Sequence, residues 1–225
     1  MSFIWELCTI LLGMDTKLID ITRGMAAGMA VWDGDTPFRL EQILDLHQGD
    51  AVNLTTMTVS AHMGTHVDAP SHFDIDGGTM SQVALDVYWG RAQVVTVEKA
   101  VGALVPAHFA HVDFSLAPRL LVNSGYAERD HTVFHHDFVY PAPELAAFLG
   151  ERGIVLYGAD APSMDAVDSK GLVGHHALLR HGIGILEGLD LRNAADGVYD
   201  FVALPLKIMG GDGSPVRAVL REIED

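Results

Sequence analysis

The stretch HMGTHVDAPSHF carries His62, His66, Asp68 and His72 within eleven positions. Imidazoles and a carboxylate crowded together are the groups that bind a divalent cation or move protons near neutral pH. The bland alternative is a polar loop with hydrogen-bonded histidines. A lone histidine pair would favour that alternative, but Asp68 and His72 in the same turn-forming stretch favour a metal centre.

The spacing constrains how these groups meet. His62 and His66 are four apart, which on a helix would put both on one face, as in H-E-x-x-H zinc sites. The segment is a poor helix, because Gly64, Thr65 and Val67 weaken it and Pro70 biases Ala69 away from helical angles. A strand ending near His62, a turn at Gly64 and an extended stretch fit better. In such a stretch His66 and Asp68 alternate onto one side, and His62 reaches back across the turn. Two imidazoles and one carboxylate then form the N/N/O set that Zn²⁺ or Mn²⁺ accepts.

Several segments are expected to position this cluster. KLIDIT (17–22), LTTMTVSA (54–61), AQVVTVE (92–98), RLLVNS (119–124), GIVLYGAD (153–160), YDFVALP (199–205) and VRAVLRE (216–222) read as strands. APELAAFLGERG (142–153) reads as a helix, with Pro143 at its start, Glu144 in the first turn and Gly153 at its end. VGHHALLRHG (173–182) is a second helix closed by a glycine. Strands outnumber helices, and no repeat or linker divides the chain, so a mixed α/β domain with much irregular loop is expected.

Composition narrows the partners. The chain has 225 residues, enough for one domain, and 49% of them are hydrophobic, which supports a sizeable core. Fourteen Lys and Arg stand against thirty Asp and Glu, for a net charge of -16. That field repels nucleic acid and anionic lipid and suits cations, although acidity also serves solubility. Cys8 is the only cysteine, so neither an internal disulfide nor a cysteine metal cluster is possible, and a reducing, cytoplasmic setting fits. FIWELCTILLG (3–13) is too short for a bilayer, which needs about 20 residues, and lacks the basic and cleavage features of a secretory signal. The expectation is that residues 1–13 are a non-native or loosely attached extension and that 14–225 form the domain.

The HMGTHVDAPSHF stretch closely resembles the H-x-G-[TA]-H-x-D-x-P-x-H signature of the cyclase family of metal-dependent hydrolases, which includes bacterial kynurenine formamidases and isatin hydrolase. VWDGDTPF (31–38) resembles the family's W-P-G-D-x-P-[FY] segment, with Asp33 in place of the usual proline. LYGADAPSMD, SKGLVGHHALLRHGIGILEGL and LPLKIMGGDGSPVRAVL resemble its carboxy-terminal half, and the kynurenine formamidase branch is the nearest in pattern. The loop NSGYAERDHTVFHHDF (123–138) departs from that branch and puts the substrate in question. The resemblance implies a single swivelling β/β/α domain, usually a homodimer. It implies a first metal on His62, His66 and Asp68, and a second, bridged by Asp68, on His175 and Glu187. Two zinc ions are expected, with manganese possible. His72 is implied as the acid/base residue and Trp32 as a substrate-pocket residue. The reaction implied is amide hydrolysis on a small molecule, N-formyl-L-kynurenine to L-kynurenine and formate. The alternatives are a cyclic or aryl amide hydrolase of the isatin hydrolase kind and a non-catalytic metal-binding protein.

Some of these residues stand without the family. Glu187 is a carboxylate inside the apolar run GILEGLDL, costly to bury unless paired or metal-bound. His175 and His176 are adjacent and point differently on any regular element, so at most one is a ligand, and spacing alone does not choose. His176 and His181 read as core-facing or helix-end residues. His131, His135 and His136 lack an acidic partner at regular spacing and read as loop, with pocket lining the minor alternative. Lys207 and Arg217 read as loop braces, and Asp160, Asp165 and Asp168 as turn and cap residues.

Overall fold

In the computed structural model the described residues are 17–223, so the extension expected at residues 1–13 lies outside them. In chain order their strands are β1 (Leu18–Asp20), β2 (Arg39–Leu44), β3 (Leu54–Thr58), β4 (His66–Asp68), β5 (Trp89–Thr96), β6 (Gly102–Leu104) and β7 (Arg119–Asn123). Then follow β8 (Val139–Pro141), β9 (Leu156–Ala159), β10 (Gly184–Glu187), β11 (Gly197–Val202), β12 (Gly213–Pro215) and β13 (Val219–Glu222). The α-helices are α1 (Pro143–Gly150) and α2 (Val173–Arg180).

The apolar runs of β5, β7, β9 and β10 lie side by side as parallel neighbours, as short buried strands with helical or loop crossovers should. Antiparallel strands extend this centre on both sides, giving the order β1-β13-β11-β5-β7-β9-β10-β4-β12. The sheet curls, because the chain leaving β1 reaches the far side: Thr22 bridges Leu189, and the Asp190 N–H donates to the Ile21 carbonyl at 2.9 Å.

Alternation along the strands divides the apolar side chains into two cores. Val94, Leu121, Leu156 and Leu186 fill one, together with Val67 of β4. Val95, Leu120, Val122, Tyr157 and Ile185 fill the other, where the helices contribute Leu145, Leu149 and Leu178. The register of β4 on β10 pairs Val67 with Leu186, both fully buried, and so sends His66, Asp68 and Glu187 to the opposite face. A slip of one residue would put three polar side chains into the first core, so burial of Val67 and Leu186 fixes the polar cluster.

The seven expected strands and both helices are present with shifted ends: most are trimmed, while β5 and β11 begin three and two residues earlier than expected. The extended stretch at His66 is β4, but the strand before it ends at Thr58 and not near His62. Strands β2, β6, β8, β10 and β12 had no separate expectation. Four of them have three or four residues, too few to show a period, and β2 is exposed along almost all its length and so lacks an apolar face.

Candidate active site

Two glycines let the elements meet. Gly188, just after β10, has φ +65°, and a Cβ there would lie 2.1 Å from the Gly64 carbonyl oxygen. Only glycine permits the turn before β4 to close on the end of β10. A Cβ on Gly174 would sit 2.0 Å from the Met164 carbonyl, so the first turn of α2 rests directly on the loop carrying Asp165. That loop enters α2 through Leu172, which adopts the left-handed conformation at φ 41°. Asp165 accepts the backbone N–H groups of Gly174 and His175 at 2.9 and 3.1 Å, capping the helix.

The caps and turns aim imidazoles. His175 Nδ1 donates to Asp165 at 2.7 Å, which turns Nε2 toward Asp68 and Glu187. His66 Nδ1 donates to the Gly64 carbonyl at 3.1 Å, which turns its Nε2 toward the same two carboxylates. Holding the far nitrogen of a ligating imidazole in this way fixes its tautomer. His66 Nε2 lies 3.5 Å from Asp68 and 3.3 Å from Glu187, while His175 Nε2 lies 3.6 and 3.5 Å from them. His62 Nδ1 is 3.0 Å from Asp68 Oδ1, with its Nε2 3.3 Å from Asp212. His72 stacks on His62 at 3.9 Å between centroids, and its Nδ1 is 3.6 Å from Asp212.

These separations test the fit to a cation. Donors about 2.1 Å from a tetrahedral ion stand roughly 3.4 Å apart, longer than a good hydrogen bond. The four Nε2-to-carboxylate distances of 3.3–3.6 Å match that value. Asp68 Oδ2 and Glu187 Oε1 are buried without a hydrogen-bond partner, a costly state for carboxylate oxygens that an ion relieves. The residues therefore fit a divalent metal. Two sets of three offer ligand atoms within 4.8 Å of one another: His62, Asp68 and His72, and His66, Asp68 and Glu187. Asp68 belongs to both sets, the partition differs from the expected one, and His72 stands within ligand distance.

Electrostatics agree with the donor set. Burial opposes charge on His62 and His175, but hydrogen bonds to Asp68 and Asp165, and the nearby carboxylates, raise their pKa values to about 9 and about 11. Burial likewise opposes charge on Asp68, yet the His175 imidazole 3.6 Å away and the hydrogen bond from His62 hold its pKa well below the usual carboxylate range. The cluster thus holds protons where a cation would otherwise sit, and metal binding must displace them. His72 differs, since burial lowers its pKa and leaves a neutral imidazole at pH 7.

His62, His66, His72, His175, Glu187 and Asp212 border an open cleft of about 550 Å³, which Trp32 also lines. Trp32 packs edge-on against Phe134 with centroids 5.1 Å apart. Two further residues shape the site. Asp165 is both a cap and the partner of His175, a role that its ten-residue separation conceals in the sequence. Asp212 faces His62 and His72 from the GGDG turn, and its backbone carbonyl accepts from Ala69 N at 2.8 Å, tying that turn to β4. Of the remaining histidines, His176 lies edge-on to Phe73, His181 caps α2, and His131 and His135 line a side pocket of the cleft. Pocket lining, the minor alternative for the 131–136 cluster, holds for His131 and His135, while His136 packs on Phe134. Arg217 braces Asp20 on β1, at 3.0 and 2.5 Å, and not the loop at 210–215.

A mixed α/β domain whose curled sheet presents a histidine–carboxylate centre at one cleft is the architecture of a metal-dependent hydrolase. The cyclase family model matches residues 19–166, and the chain belongs to that family. It is 41% identical over 215 residues to the kynurenine formamidase of Bacillus cereus, covering 92% of this chain and 99% of the relative. A solved structure described as a potential metal-dependent hydrolase with cyclase activity superposes with a TM-score of 0.79 at 26% identity, over 93% of this chain and all of the other. Isatin hydrolase A of Labrenzia aggregata shares the fold, with a TM-score of 0.78 at 24% identity over 99% and 100% of the two chains.

Proposed function

We propose that the chain hydrolyses an aryl formamide, N-formyl-L-kynurenine, to L-kynurenine and formate. The observation that carries this reading is the set of buried, unpartnered carboxylate oxygens at metal-fitting distances from two oriented imidazoles, open to a cleft with a tryptophan wall. Similarity to the Bacillus cereus enzyme supports the choice of substrate. A purely structural ion would be closed off by four protein ligands, whereas this centre opens on a cleft.

In this reading His62, His66, Asp68, His175 and Glu187 would hold two divalent ions, with Zn²⁺ the first choice and Mn²⁺ also suited to the N/O set. The metal supplies Lewis acidity and a lowered pKa for bound water. His72, neutral at pH 7, takes the proton of the attacking water and returns it to the leaving aryl nitrogen. Asp212, 3.6 Å from His72 Nδ1, orients that ring and stabilises its protonated form. Trp32 packs against the aromatic leaving group.

The ribbon of β2 and β3 supports a homodimer. Among the described residues it pairs with no other strand, and it carries Leu40, Ile43, Leu54 and Met57 at 48–58% exposure. A two-stranded ribbon is marginal alone, and a second copy of the chain would bury this apolar surface.

The test is a panel of N-formyl and cyclic aryl amides offered to protein loaded with Zn²⁺, Mn²⁺ or Co²⁺. Formate release from N-formyl-L-kynurenine that is faster than opening of a cyclic amide is expected, and a chelator should abolish it with the fold retained. Preferential opening of the cyclic amide would replace the substrate. No hydrolysis by metal-loaded protein would leave a binding protein.

A further inference from the structure

The cleft has a side pocket that the chemistry above does not use. Trp32, His62, His66 and Pro162 line both spaces, so the two adjoin. The side pocket, about 70 Å³, has two guanidiniums on its wall, Arg23 and Arg129, against one carboxylate, Asp130. Cations are scarce in a chain with 14 of them against 30 acidic groups, so this pairing calls for a cause.

Arg23 is 8% exposed and short of acceptors. Its Nη2 donates to the Asp160 carbonyl at 3.1 Å, while its Nε is buried with no partner among the described residues. The nearest acidic side chains are committed elsewhere. Asp160 accepts from the Ser124 hydroxyl at 2.7 Å and from the Tyr126 N–H at 2.8 Å, and Asp190 pairs with Arg192 at 2.6 Å. Arg129 is also engaged, with Asp137 at 2.7 Å. Both guanidiniums lie against the Tyr126 ring, 5.5 and 5.3 Å from its centroid, which holds them at the pocket wall. Arg23 is therefore a preorganised, buried donor with unused hydrogen-bonding capacity, beside a space the size of a small polar group. A guanidinium with an unpartnered N–H suits a carboxylate.

We propose that Arg23 anchors a carboxylate at the far end of the substrate, selecting aryl formamides that carry an amino-acid head over equal ones lacking the carboxylate. This rests on the formamide-hydrolase reading and names the group by which it recognises its substrate class. The competing role is that Arg23 only braces the Asp160 backbone.

The experiment compares metal-loaded wild type, Arg23→Gln and Arg23→Lys on N-formyl-L-kynurenine and on N-formylkynuramine, which lacks only the carboxylate. Calorimetric binding of L-kynurenine and kynuramine gives a readout that needs no turnover. A charge-assisted bond to a carboxylate is worth about ten- to a hundredfold, so wild type should prefer the carboxylated member of each pair by that factor. In Arg23→Gln both ratios should collapse toward one, with Arg23→Lys between. Equal loss for both members of a pair would assign Arg23 to bracing and overturn the proposal. An absence of preference in wild type would overturn it even if the variants do not fold. Hydrolysis of both amides without preference removes the anchor and leaves the formamidase reading intact. Arg23-dependent binding of L-kynurenine without hydrolysis of either amide removes the reaction and leaves the anchor.

Discussion

The chain has two histidine-rich stretches, and they behave differently. In 62–72 the imidazoles sit beside Asp68, which is buried, and two of them are locked by hydrogen bonds from their Nδ1 atoms. In 131–136 the nearby carboxylates Asp130 and Asp137 are exposed and engaged with Thr132 and Arg129. The His135 ring there bonds the Asp130 carbonyl, at 3.1 Å, and His136 packs edge-on to Phe134. Histidine density is equal in kind at the two places. What differs is a buried carboxylate with lone pairs left over, which gives the first stretch a need for a cation and leaves the second without one.

The strongest way to break this comparison is to remove the buried charge. His66→Ala and Glu187→Gln should each lower bound metal per chain and cut hydrolysis on the order of 10³-fold, since a metal centre contributes several kcal/mol and each 1.4 kcal/mol is tenfold. Metal analysis with circular dichroism on the same samples checks it. Full metal occupancy in His66→Ala would remove that residue from the centre.

His72→Ala sharpens the comparison inside the first stretch. Loss of a general acid/base should lower kcat by about 10²–10⁴-fold with metal content nearly intact. Because His72 also stands within ligand distance of His62 and Asp68, metal loss in this variant would make it a ligand instead.

How far the sequence carried depends on distance along the chain. The stretch 62–72 was legible because its groups are local and strand alternation is a two-residue rule. Val67 between His66 and Asp68 then fixed the face by burial. The apolar runs of β5, β7 and β9 were legible for the same reason. His175 was not separable from His176 by spacing, and Glu187 was legible only as a carboxylate in an apolar run, since what brings the two to Asp68 is the seating of α2 on the Asp165 loop and the register of β10 on β4. The capping role of Asp165 was legible, but its hold on His175 and the roles of Asp212 and Arg23 lay beyond residue-level reading, because they come from turns that meet only in the folded chain. The short strands β6, β8 and β12 carry no period at three residues each.

A smaller effect separates the clusters by pH. Without metal, His62 has its pKa raised from 6.5 to about 9 and His175 from 6.5 to about 11. A group whose folded pKa is raised stabilises fully below its unfolded value and loses that contribution as pH rises through the folded one. The metal-free protein should therefore lose thermal stability between about pH 6.5 and 9, further toward 11. Metal affinity should rise over the same range as protons leave the ligands. Melting curves of chelated and metal-loaded protein across this window check both signs. A metal-free melting temperature that climbs with pH would mean that the imidazoles are not held protonated by Asp68 and Asp165.

The smallest expected effect is in the second stretch. His136→Ala removes a ring that packs on Phe134, whose other neighbour is Trp32 at the cleft. An aromatic contact of that kind is worth about 0.5–1.5 kcal/mol, which corresponds to roughly two- to twelvefold in an equilibrium constant. The ring touches neither Asp68 nor Glu187, so metal per chain should stay at the wild-type value. Any cost should appear as a rise in KM within that range, because a loosened Trp32 weakens contact with the aromatic group in ground and transition states alike. Parallel metal analysis and steady-state kinetics on this variant and on His66→Ala set the two stretches side by side. Loss of metal from His136→Ala would give the second stretch a cation of its own. A fall in kcat with KM unchanged would place this ring nearer to the reacting atoms than its packing on Phe134 implies.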